Sequence, residues 1–109
     1  MSLDTSALVK DMLSAAKDNL GKFWKQAKPF AENETLNMAN KLLLIEKLKL
    51  EGKITKEEAL LHIEIQKSAF RTVLLSIKGL GLIAVEGTIN AALGAIAKVV
   101  NKAIGWQML

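Results

Sequence analysis

The chain has 109 residues, half of them hydrophobic, a formal net charge of +4, no cysteine and one histidine. That composition excludes an intrinsically disordered chain, a disulfide scaffold, thiolate metal sites and a cysteine nucleophile. The length suits one helical domain, 1–109, with its own buried core. The start, Met1-Ser2-Leu3-Asp4-Thr5-Ser6, lacks a basic stretch followed by an apolar run. No secretory leader is expected, and cytoplasmic residence is the default, with membrane association as the alternative.

The first segment sets Leu8, Met12, Ala16, Leu20, Phe23 and Ala27 at spacings of three and four. This draws one apolar stripe on a helix from Asp4 or Thr5 to about Ala27. Asp4, Thr5 or Ser6 can cap its start, because each side chain accepts a bond from a free first-turn N–H. Lys10, Lys17, Lys25 and Lys28 fall on another face of this helix, a candidate track for an anionic partner. Pro29 is expected to end or kink the helix, since its ring clashes with the carbonyl four residues back.

A second helix is expected from Asn33 or Thr35 to Glu51, with Leu36, Ala39, Leu42, Leu43, Ile45 and Leu50 on its apolar face. Leu44 falls beside Lys41, Lys47 and Glu51 on the wet side. The sharpest local signal follows at Gly52-Lys53-Ile54-Thr55-Lys56-Glu57-Glu58-Ala59. Gly52 suits the left-handed position past a helix end, Thr55 and Glu58 form a capping box, and Ile54 can staple onto Ala59. Helices two and three should therefore form a tight antiparallel hairpin.

Helix three is expected from Lys56 to Lys78, with Ala59, Ile63, Phe70, Val73 and Ile77 inward and Glu57, Glu64, Lys67, Arg71 and Lys78 outward. Gly79-Leu80-Gly81 marks a break. The last segment, Leu82 to about Ile104, carries a large apolar stripe of Ile89, Leu93, Ile96, Val100 and Ile104. A second stripe of Ala84, Gly87, Ala91 and Ala95 is small, leaving Glu86, Asn90, Ala97 and Asn101 as a narrow polar strip. A helix this apolar wants cover on most sides. The fold class is therefore all-α: an antiparallel bundle of about four helices, or three long ones with one kinked, its C-terminal helix largely buried.

No chemistry stands out. His62 has Glu58 four residues before it, an ordinary helix pair, whereas carboxylate-bridged metal bundles use Glu-x-x-His on two helices. Gly79, Gly81 and Gly87 lack the preceding strand or the Gly-Lys-Ser/Thr of a phosphate loop. No catalytic, metal or cofactor residue is assigned, and no small-molecule substrate is indicated.

The favoured reading is a non-enzymatic helical interaction module forming a homo-oligomer, most simply a dimer. Its expected contacts are Ile89, Leu93, Ile96 and Val100, or the small stripe Ala84, Gly87, Ala91 and Ala95. Glu86 then needs a partner, for which Lys67, Arg71 and Lys78 compete. The alternative is a membrane protein that inserts or lays down segment 79–104, although Glu86 and Asn90 oppose a span. A nucleic-acid module using the lysine face comes third: arginine occurs only at Arg71, and no exposed aromatic platform is evident.

Overall fold

A computed structural model describes residues 3–109. The elements run α1 (Thr5–Leu20), a 3₁₀ turn (Gly21–Phe23), α2 (Trp24–Leu50), α3 (Lys56–Leu75) and α4 (Leu82–Ile104). They pack as an all-α antiparallel bundle measuring 44 × 23 × 19 Å, with α4 between α1 and α3 and α2 diagonally across from it. α4 therefore takes a corner of the bundle instead of its axis, and α1 is the helix it covers most.

The first helix ends earlier than its stripe suggests. Gly21 adopts φ 51° and ψ −118°, a conformation that side chains with a Cβ resist, and the chain reverses there. The expected break at Pro29 is absent: Pro29 lies inside α2, which runs unbroken for 27 residues. Pro29 has no N–H to give the Lys25 carbonyl. Both residues are exposed, so water can take that bond. Ala27 is buried as expected, but from α2.

α2 buries Ala39, Leu42 and Ile45 as anticipated, together with Ala27, Ala31, Thr35 and Met38. Leu36 and Leu50, expected inward, are exposed, Leu43 is half-buried, and Leu44 is exposed as expected. The reason is that α2 returns along α1, and the face packed inward is the one carrying Met38 and Thr35. Thr35 sends its hydroxyl back to the Ala31 carbonyl at 2.8 Å, so a polar residue can line that face.

The hairpin between α2 and α3 forms as its residues require. Lys53 N–H donates to the Leu48 carbonyl at 2.8 Å and Gly52 N–H to Lys49 at 3.0 Å, the paired bonds of a Schellman ending with Gly52 at φ 68°. Thr55 Oγ1 accepts from Glu58 N–H at 3.1 Å, and Glu58 Oε1 accepts from Thr55 N–H at 2.8 Å. Ile54 and Ala59 both join the core.

α3 stops at Leu75, before the expected Lys78. The chain then tightens into short i→i+3 bonds from Ser76 and Ile77, and Leu80 N–H closes onto the Ile77 carbonyl. Ile77 and Leu80 are buried and plug this end of the bundle. Inside α3 the core residues are Ala59, Ile63, Phe70 and Leu74; Val73, expected there, is only half-buried.

The opposite end is tied by polar bonds to both termini of the described chain. Leu3 N–H donates to Glu46 Oε1 at 3.1 Å in a buried setting. After α4 the chain turns at Gly105, and Asn101 Oδ1 accepts from the N–H groups of Met108 (2.8 Å) and Leu109 (3.0 Å). Lys49 reaches the Ile104 carbonyl and lies 4.7 Å from the centre of the Trp106 ring. These bonds seat Met108 in the core.

Candidate functional site

The residues singled out on α4 divide by environment. Ile89, Leu93, Ile96 and Val100 are buried within the chain's own core, alongside Val85, Ala92 and Ile104. In the closed bundle these four side chains face α1 and α3, so they offer no outer surface. Of the small residues, Ala84 and Ala95 are exposed while Gly87 and Ala91 are half-buried. A methyl group at Gly87 would lie 3.2 Å from Asn19 Oδ1, so this glycine lets α1 approach α4 closely.

By length and composition α4 could cross a membrane. Its inward face, however, is occupied by the bundle. Glu86 is held in a two-pronged pair with Arg71, Nε to Oε2 at 2.6 Å and Nη2 to Oε1 at 3.2 Å. Arg71 is thus the partner among the three cations considered from the sequence. The hydrogen bond from Arg71, with its charge and that of Lys67 adding to it, holds the Glu86 carboxyl below the usual glutamate range. The same bond raises the Arg71 guanidinium further above its ordinary value.

Glu58 also titrates low, because the Thr55 N–H and hydroxyl bond its carboxylate; the charge of His62 is a minor contribution. That ties Glu58 to the helix cap. His62 itself is exposed. Among the described residues no three His, Asp or Glu side chains converge as metal ligands would.

Both depressed carboxyls stabilise the fold above their unfolded-state value near 4.5 and lose that contribution as pH falls through their folded values. Denaturation midpoints should therefore hold steady near neutrality and drop in acid. Urea titrations of Glu58→Gln and Glu86→Gln should show a shallower acid limb than the parent chain; an identical limb would exclude these two groups as its cause.

The four candidate lysines are all exposed, but not on one helix. The reversal at Gly21 leaves Lys10 and Lys17 on α1 and moves Lys25 and Lys28 to α2. The continuous track anticipated along helix one is therefore broken into two parts, because Gly21 and not Pro29 ends the helix.

Two surfaces escaped the sequence reading. The first is the outer face of α3. Leu61 and Ile65 are 64% and 65% exposed, and Leu75 is exposed as well. With Ser68 and Thr72 they follow spacings of 4-3-4-3, diametrically opposite Ile63, Phe70 and Leu74. The signal was present in the sequence but was hidden by the stronger inward stripe. The second is the end of the bundle formed by the turns 21–23 and 76–81, where Ile83 is 91% exposed.

Grooves flank α1 on both sides. One, of about 540 Å³, is lined by Leu3, Leu8, Val99 and Ala103, with Asp4 and Asp11 facing Lys102 across it. The other, about 500 Å³, lies between Val9 and Leu13 of α1 and Leu36 of α2. Both are apolar and open, without a converging set of reactive groups.

These features define an all-α antiparallel four-helix protein with outward apolar surfaces. Compared with known proteins, the chain matches no family model, no curated sequence and no solved structure.

Proposed function

We propose that this chain is a non-enzymatic helical interaction module that pairs with a second copy of itself through the outer face of α3. The supporting observation is that α3 is apolar on two opposite sides. Ala59, Ile63, Phe70 and Leu74 serve the chain's own core, while Leu61, Ile65 and Leu75 lie exposed at coiled-coil spacing with Ser68 and Thr72 between them. A two-fold axis crossing Ser68 brings Leu61 of each copy against Leu75 of the other, the self-complementary arrangement that a closed dimer needs. The contacts first expected on α4 are replaced in this proposal, because Ile89, Leu93, Ile96 and Val100 are covered internally. Cytoplasmic residence goes with this reading.

Sedimentation equilibrium of the whole chain in buffer without detergent tests it. The expected mass is that of a dimer, and Leu61→Lys with Ile65→Lys should shift it to monomer while helicity survives, because both side chains already face water. A parent chain that sediments as a monomer across micromolar concentrations would refute the pairing.

A further inference from the structure

The turns 21–23 and 76–81 meet at one end of the bundle. Gly79 lies so close to Phe23 that a Cβ on it would sit 3.4 Å from the ring. Around them stand Lys17, Lys22, Lys25, Lys28 and Lys78, all exposed, with Asp18 as the one acid in the stretches 17–30 and 75–83. Five cations and one anion make a formal charge of +4 here. The rest of the chain holds 15 − 5 = 10 basic and 11 − 1 = 10 acidic residues and is balanced. The entire formal excess of the protein is therefore gathered at this tip.

The tip is also greasy. Leu82 and Ile83, where α4 begins, are exposed, and Phe30 is exposed on the neighbouring α2. Beneath them, Ile77 and Leu80 are buried and hold the loop against the core. The exposed aliphatics thus sit on a supported platform ringed by lysines.

We propose that this end of the bundle docks on the surface of an anionic lipid bilayer, with Leu82 and Ile83 entering the headgroup–acyl boundary. Lysines 22, 25, 28 and 78 then face lipid phosphates and carboxylates. Attraction to an anionic leaflet and burial of apolar side chains at its interface reinforce each other, and neither alone anchors firmly. A nucleic-acid backbone would use the lysines but has nothing to offer Ile83, and the tip carries no arginine. Docking through the tip leaves α4 packed in the bundle, unlike insertion of 79–104, and is independent of pairing through α3.

Co-sedimentation with vesicles of phosphatidylcholine mixed with phosphatidylserine, against vesicles of phosphatidylcholine alone, tests the proposal. Binding is expected only to the mixed vesicles, weakening as salt rises. Replacing Lys22, Lys25 and Lys28 together by glutamine should lower partitioning about a hundredfold. Ile83→Asp should lower it about tenfold or more while circular dichroism stays unchanged. Equal binding to both vesicle types, or none to either, would overturn the proposal. So would lysine variants that bind as before, or an Ile83→Asp chain that keeps its full binding, which would point to a purely ionic partner such as duplex DNA. The Leu61→Lys, Ile65→Lys chain separates the two proposals: its mass should fall, while its affinity per chain for the mixed vesicles should persist.

Discussion

Replacing Ile96 by lysine is expected to remove a large part of the protein's stability. Ile96 is fully buried on α4, among the core residues that face α1 and α3. A lysine there would bring an ammonium into apolar surroundings. The acid on the same helix, Glu86, lies ten residues away and is already paired with Arg71. An unpaired buried charge, or the deprotonation that avoids it, costs several kcal/mol. Native domains of this size have only about 5–15 kcal/mol of stability to lose. A loss of about 4 kcal/mol or more is expected, read as a large fall in the urea midpoint of the helical circular dichroism signal. Ile83→Lys on the same helix should change stability by less than about 0.5 kcal/mol, because its side chain is already in water. The contrast has a second use. If the face of Ile89, Leu93, Ile96 and Val100 met lipid or a second copy, Ile96→Lys would yield a folded, more soluble monomer instead.

Phe70→Ala should cost about 3–5 kcal/mol, the usual range for removing a buried aromatic ring. Phe70 heads the fully buried side chains by volume, and it sits in the C-terminal third of α3 between Ile63 and Leu74. The loss combines the transfer free energy of the ring with the cavity left behind. The antiparallel neighbours are held at both ends, by the α2–α3 hairpin and by the plug of Ile77 and Leu80, so the site has little room to collapse. Chemical denaturation monitored by circular dichroism checks the figure. A cost below about 1 kcal/mol would mean that the core relaxes around the missing ring and that packing here is loose.

Much of the architecture can be read from local chemistry. The Gly52 ending and the Thr55–Glu58 box are complete within residues 48–58, so neither depends on what packs nearby, and both form as their residues require. The span of α4 follows equally from the break at Gly79–Gly81 and the glycine at 105. At Pro29 and Gly21 two local breakers compete. Proline's penalty is one missing bond and a clash on an exposed turn, whereas Gly21 permits a reversal that lets α1 and α2 bury Met12, Ala16, Ala31 and Met38. Burial outweighs the penalty, and no single-helix argument contains that term.

The candidate surfaces were less legible, for a related reason. Apolar periodicity says that a side chain wants cover without saying who supplies it. On α3 two apolar stripes share one helix, and the stronger one, with Ile63 and Phe70, hides the weaker one of Leu61 and Ile65. On α4 the large stripe is satisfied by the chain itself. The sequence by itself determined the all-α class, the hairpin with its Gly52 ending, the span of α4 and the mild basic excess, all set by neighbours in the chain. The tertiary structure alone decided the end of α1, the Arg71 partner of Glu86, the apolar face left outside and the gathering of net charge at one tip. Each of these depends on which segments, distant in sequence, come to lie side by side.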